Sequence, residues 1–188
     1  MGVCQPDWMA LAREAAFSSC GRYRWWLERQ WEPERPRLLF MGLNPSSADA
    51  DRDDPTLRRL IGFARSWGFG ALEVLNLFAR CSSSPAVLRR CSHPVGDDND
   101  GWICARVQQL GSDPANALWL GWGNGGAWRQ RDQQVLQQLQ HLTPPALSWL
   151  TLGLTARGAP RHPLYAPAAA PPLQVLHPWT VCQPPVVR

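Results

Sequence analysis

The chain has 188 residues and a formal net charge of +4, and its basic residues are all arginine because it contains no lysine. That length supports a single domain with its own core and no need of metal or disulfide staples. No apolar run reaches membrane-spanning length and no charged-then-apolar leader opens the chain, while the mild basicity permits nucleic acid without demanding it. Six cysteines without a CxxC pair read as reduced thiols, which places the protein in the cytoplasm.

Up to Phe17 the sequence predicts a short helix. The run RYRWW at 22–26 then has the β-favouring aromatics of a strand. Arg22, Arg24 and Arg29 alternate with Tyr23, Trp25, Trp26 and Trp31, a mixture that could stack bases and hold phosphates. A strand laying its aromatics on a core explains the same residues and is preferred.

The stretch 35–68 organises the chain. Leu38, Leu39, Phe40 and Met41 form an apolar strand that ends in Gly-Leu-Asn-Pro-Ser-Ser, followed by an acidic loop and a helix capped by Asp54 and Pro55. Ligands of open α/β folds bind at the carboxyl ends of parallel strands. Asn44, Ser46, Ser47 and Asp49 are therefore the first candidates for chemistry.

Leu57, Leu60, Ile61, Ala64 and Trp67 recur at helical spacing, and a second strand, LEVLNLF, covers 72–78. Asn76 near its carboxyl end needs partners, so it braces a loop or faces a ligand. Helix starts follow at Ser84-Pro85 and around Asp98 to Asp100. The acids Asp97, Asp98 and Asp100 are read as helix-capping ahead of metal-binding. Cys81, Cys91 and His93 lack the paired spacing of a zinc site.

A third strand, Ala117–Leu120, leads into GWGNGGAW and a glutamine-rich helix from 127 to about 140, an order that suits an anion at a helix N-terminus. Gly121, Gly123 and Gly126 satisfy G-x-G-x-x-G. A dinucleotide site would also want an acidic residue after the next strand, and the strand at 147–154 runs instead into Thr155, Ala156 and Arg157, so a tight turn is the better reading. Beyond it TARGAPRHPLYAP places Arg161, His162 and Tyr165 in a proline-stiffened loop. The proline-rich tail, 167–188, holds a competing His177-Pro178 and a segment, LQVL, able to add an edge strand. One domain over 1–188, with its core at about 20–166, follows. Its expected fold is α/β, a three-layer sandwich with a central, mostly parallel four-stranded sheet.

Over nearly its whole length the chain resembles the domain-of-unknown-function 1643 family, through RYRWWLERQW, GLNPSSADADRDDPTLRRLIGFARSWG, LEVLNLFA, PVGDDND, LGWGNGG and LGLTARGAPRHPLY. That kinship leaves function open. More remotely, the order of Gly42-Leu43-Asn44-Pro45, VLNLF, LGWGNG and His162-Pro163 resembles the uracil-DNA glycosylase superfamily, which implies a glycosylase-like fold. The resemblance implies that Asn44 positions a water and His162 stabilises a departing base, both as catalytic residues. It also implies that Asn76 reads the base edge, with Phe63, Phe69 or Tyr165 stacking on it, and that Gly42, Pro45, Ser46, Ser47, Asp49 and Arg161 line the substrate site.

The expectation is a pocket that binds a nucleobase or nucleotide, hydrolyses an N-glycosidic bond and serves DNA repair. Two alternatives remain. One is a hydrolase or transferase for a free nucleotide or other phosphorylated small molecule, with Arg58, Arg59, Gly123, Asn124 and Gly125 holding the anion. The other is a non-catalytic nucleic-acid binding module. No cofactor or membrane partner is implied, and magnesium on the acidic loop from Asp49 to Asp54 ranks below the capping role of Asp54.

Overall fold

A computed structural model describes residues 12–176 and 180–181. A mixed sheet of seven strands runs through it: β1 (Ala12–Phe17), β2 (Arg24–Gln30), β3 (Arg37–Gly42), β4 (Ala71–Asn76), β5 (Ala117–Leu120), β6 (Ser148–Thr151) and β7 (Leu173–Leu176), in the order β1-β2-β4-β3-β5-β6-β7. A two-residue strand, β8 (Thr180–Val181), pairs with the outer side of β7. The sheet is thus larger and more mixed than the expected four strands. β4, β3, β5 and β6 are mutually parallel, but β1 and β2 pair antiparallel on one flank and β7 on the other.

The helix expected up to Phe17 is instead β1 over its described residues. Ala-Arg-Glu-Ala-Ala favours helix locally, but the free edge of β2 supplies a ladder that outweighs propensity. The fourth parallel strand is shorter than 147–154, with only an isolated bridge from Leu154 to Pro160 beyond it. His177 lies outside the described residues.

Leu38 and Phe40 point to one face of β3, and Leu39 and Met41 to the other, so the central strand is apolar on both sides. The first face is covered by α1 (Pro55–Ser66) through Leu57, Leu60, Phe63 and Ala64. Asp54 caps that helix, its Oδ1 accepting from Leu57 N at 2.8 Å, and Pro55 fills the first position, where no N–H is needed. The short α2 (Pro85–Leu88) is capped by Ser84. The second face is covered by α3 (Asn99–Leu110) and α4 (Arg131–Leu142), through Ile103, Val107, Val135 and Leu139. The acidic run does not cap α3 by side chain: Asp98 makes no capping bond, and Asp100 pairs with Arg131. Among the described residues no helix is long and apolar enough to cross a membrane.

Candidate functional site

β3 and β5 are neighbours, yet β3 hands the chain to α1 on one face and β5 hands it to α4 on the other. Diverging connections of this kind open a crevice at the carboxyl ends of the strands. A cleft of about 910 Å³ lies there, walled by the loops that follow β3, β4, β5 and β6 and by the first turns of α1.

The turn after β3 presents Asn44. Its Nδ2 donates to Pro45 O at 2.9 Å and Ser82 O at 3.0 Å, so the amide cannot rotate without orphaning a carbonyl. No described hydrogen bond uses Oδ1, which is the acceptor left for the cleft. Gly42 stands in register with Asn76 on β4. A Cβ at Gly42 would lie 2.9 Å from both Asn76 Nδ2 and Phe40 Cε1, so the bare glycine keeps that amide and the ring edge open to the cleft.

Asn76 is buried, and its Oδ1 accepts from Arg24 Nη2 at 3.4 Å. That leaves Nδ2 as the donor turned toward the cleft. Behind it, Asn99 Nδ2 donates to the backbone oxygens of Asn76 and Leu77 at 3.0 and 3.2 Å, and Arg131 Nε donates to Leu77 O at 2.8 Å. The end of β4 is therefore fixed by side chains from α3 and α4.

His162 opens the 3-10 turn Pro163–Tyr165, and its Nδ1 accepts from Leu164 N at 3.3 Å. Burial holds its pKa below the ordinary histidine value. The neutral ring, accepting at Nδ1, carries its proton on Nε2, an assignment made from the hydrogen-bond pattern. Arg59 ties this turn to α1, donating to Pro163 O at 3.0 Å and to Ala166 O. Tyr165, 80% exposed, meets His162 edge-on at 6.0 Å between ring centroids and stands at the cleft mouth.

The structure brings Gly42, Asn44, Ser46 and Asn76 into this cleft from one side, and Arg161, His162 and Tyr165 from the other. Gly123, Asn124 and Gly125 line it as well, with Asn124 Oδ1 accepting from Thr155 Oγ1 at 2.6 Å. They open a 3-10 stretch and not the expected α-helix. The 3-10 stretch Gly123–Gln130 breaks at Trp128 and Arg129, and α4 begins only at Arg131, so the expected helix N-terminus is not behind the glycine loop.

Pro45, Ser47, Asp49, Arg58 and Arg59 do not line the cleft. Asp49 Oδ1 accepts from the backbone N–H groups of Asp51 and Arg52, which lower its pKa and fold the acidic loop back on itself. Arg58 reaches Asp53 O, and Arg59 is spent on the histidine turn. Phe63 is buried against Trp119 and Phe69 packs beside the same core, leaving Tyr165 as the stacking candidate of the three. Asp53 pairs with Arg13 and Arg29 at 2.9 and 2.8 Å, and Ser46 Oγ donates to Asp54 Oδ2. Among the described residues no three His, Cys, Asp or Glu side chains are grouped to hold a metal. Trp25, Trp26 and Trp31 are buried, which withdraws them as a base-stacking surface.

Sequence reading left Phe40, Arg89 and Arg157 out of the site and preferred a structural strand for Arg24, yet all four line the cleft. The signal for Arg24 was topological. An antiparallel strand beside β4 begins where β4 ends, so the first residue of β2 lands next to Asn76.

Cys20 sits outside the cleft, exposed, with Sγ 3.4 Å from Arg22 Nε and 3.3 Å from Ser18 Oγ. Those hydrogen bonds lower its pKa to about 6, whereas burial raises that of Cys81. Iodoacetamide at neutral pH is expected to label Cys20 first among the described cysteines, as peptide mapping of a short time course would show. Equal labelling of Cys20 and Cys81 would contradict this.

A family model described as "Protein of unknown function (DUF1643)" matches residues 24–164, from the first residue of β2 into the histidine turn. No curated protein and no solved structure matches the chain, so the likeness to glycosylases rests on the order of motifs alone.

Proposed function

Because the chain belongs to the DUF1643 family, whose description names no activity, we propose a function from the chemistry of the cleft: it binds a nucleobase or nucleotide and hydrolyses the N-glycosidic bond. The observation that carries this reading is the convergence of Asn44, Asn76 and His162, one from the end of β4 and two from the loops after β3 and β6, on one cleft with complementary hydrogen-bonding valence.

Cleaving the bond builds positive charge on the sugar and negative charge on the departing base. Water adds to the anomeric carbon as the bond to the base nitrogen breaks, and the bonding electrons leave with the base. Asn44 Oδ1 would accept a hydrogen bond from that water and aim it. An amide is not a general base at neutral pH, so the proton passes to solvent and the leaving group must do much of the work. Asn76 Nδ2 and His162 Nε2 would donate to the base edge as its charge grows. Tyr165 would cover the base, and a base from a duplex would have to be flipped out to reach them.

Asn44→Ala is expected to slow base release from uracil-containing or damaged oligonucleotides about 100-fold, the scale of a lost orienting contact. Alkaline cleavage of the abasic product measures it. Unaltered release in both Asn44→Ala and His162→Ala would remove the assignment.

A second reading has an observation of its own. Arg24, Arg89, Arg157 and Arg161 line the cleft with Asp54 as the lone carboxylate among its lining residues, a balance that suits a free nucleotide or other phosphorylated small molecule. Thermal stabilisation by free nucleotides, with indifference to oligonucleotides, would favour it.

A further inference from the structure

Three arginines are buried in the described structure: Arg24, Arg29 and Arg131. Arg29 is paired with Asp53 and Arg131 with Asp100. Arg24, 4% exposed, has no carboxylate within 4.0 Å among the described residues. Its Nη1 donates to Ala48 O at 2.8 Å and its Nη2 to Asn76 Oδ1 at 3.4 Å, both neutral acceptors, while Nε has no partner. Of the three it is also the one that lines the cleft.

Taking a guanidinium out of water without a counter-charge is costly, and proteins pair such groups or hold them for a ligand. Burial lowers the pKa of Arg24 to about 10, which still leaves it charged at neutral pH. Asp54 lines the same cleft, but its oxygens accept from Leu57 N and Ser46 Oγ. The position is thus a buried cation beside a neutral amide donor, Asn76 Nδ2, both at the edge of a cleft large enough for a nucleotide.

We propose that Arg24 and Asn76 form an anion-binding floor in the cleft, so that its ligand places an anionic oxygen there. The shared chemistry is a negatively charged oxygen, supplied either by a phosphoryl group or by the oxo edge of a base departing as an anion. The inference shares the cleft with the proposed function but does not depend on bond cleavage. Asn76 is the hinge of the arrangement: Arg24 fixes its amide, and the amide and guanidinium then offer donors to one acceptor.

The test is thermal unfolding of the full chain at constant ionic strength, with chloride replaced stepwise by phosphate, and separately with uracil or a nucleoside 5′-monophosphate added. The expected result is a saturable rise in Tm with phosphate or the monophosphate, at least tenfold weaker in Arg24→Gln and partly kept in Arg24→Lys, which retains charge without the planar fork. Arg157→Gln and Arg161→Gln at the rim should change the same affinity by less than about threefold. Stabilisation by uracil but not phosphate, lost with Arg24→Gln, would assign the anionic oxygen to the base. Equal responses of the wild-type chain and Arg24→Gln to every probe would overturn the proposal. If Arg24→Gln does not fold, Arg24→Lys carries the comparison, and an affinity equal to wild type in it together with a response to chloride equal to that to phosphate would do the same. Arg24-dependent phosphate binding without base release would remove the glycosylase reading and keep this one. Base release insensitive to Arg24→Gln would do the reverse.

Discussion

Replacing His162 by alanine is expected to lower the single-turnover rate of base release about 100- to 1,000-fold, the cost of removing one preorganised donor from a developing anion. Ground-state affinity should change much less, because the donor is needed most when charge accumulates on the base. His162→Gln, which can return an N–H to a similar place, should recover part of the loss. A structural role alone would not show that recovery.

The same residue sets an acid limit. Its Nδ1 accepts from Leu164 N, so protonating the ring sets one donor against another and breaks the turn that holds it. Its folded pKa lies below the unfolded value of about 6.5. The unfolded chain therefore takes up the proton first. The contribution to stability is complete above the unfolded pKa and is lost as pH falls through the folded one. Urea titrations between about pH 5 and 8 should show this slope in the wild-type chain and a shallower one in His162→Ala.

The second large effect falls on Asn99, which is fully buried and supplies the one described side-chain bond to Asn76 O and one of the two to Leu77 O. Asn99→Leu keeps the volume and removes the donor, leaving Asn76 O without its side-chain partner and Leu77 O with Arg131 alone. The expected cost is about 3 kcal/mol. For a chain of this size that corresponds to a fall in Tm of about 6–12 °C. Because the lost bond is made to the backbone oxygen of Asn76 itself, base release should fall as well. A Tm within about 2 °C of wild type would show that the end of β4 is held by other means.

The central strands were legible because each is a short apolar run with a turn signal behind it, and α1 because Asp54 and Pro55 announce its start. Asn44 and Asn76 were legible for the same reason: a polar residue at or just past the end of a buried run has few places to go. His162 lies well beyond the end of β6 and was picked out by its His-Pro motif. What failed depended on distant partners. β1 has the composition of a helix and becomes a strand only because β2 offers an edge. Arg58 and Arg59 look like phosphate ligands, yet one meets a backbone oxygen of the acidic loop and the other holds the histidine turn. Arg24 resembled its neighbours in an arginine-tryptophan run. Only the sheet order reveals that Arg29 meets an aspartate while Arg24 faces the cleft.

The bond between Asn44 and Pro45 has a consequence for the lifetime of the protein. Asparagine ages when the backbone nitrogen of the next residue attacks its side-chain carbonyl carbon and expels ammonia, and the ring then reopens with water as an acid. The proline nitrogen, which carries no N–H, cannot make that attack and lose a proton. The amide whose Nδ2 is committed to two carbonyl oxygens is thereby shielded from the reaction that would replace it with a carboxylate facing those same oxygens. The turn keeps its chemical identity over time by the residue that follows it.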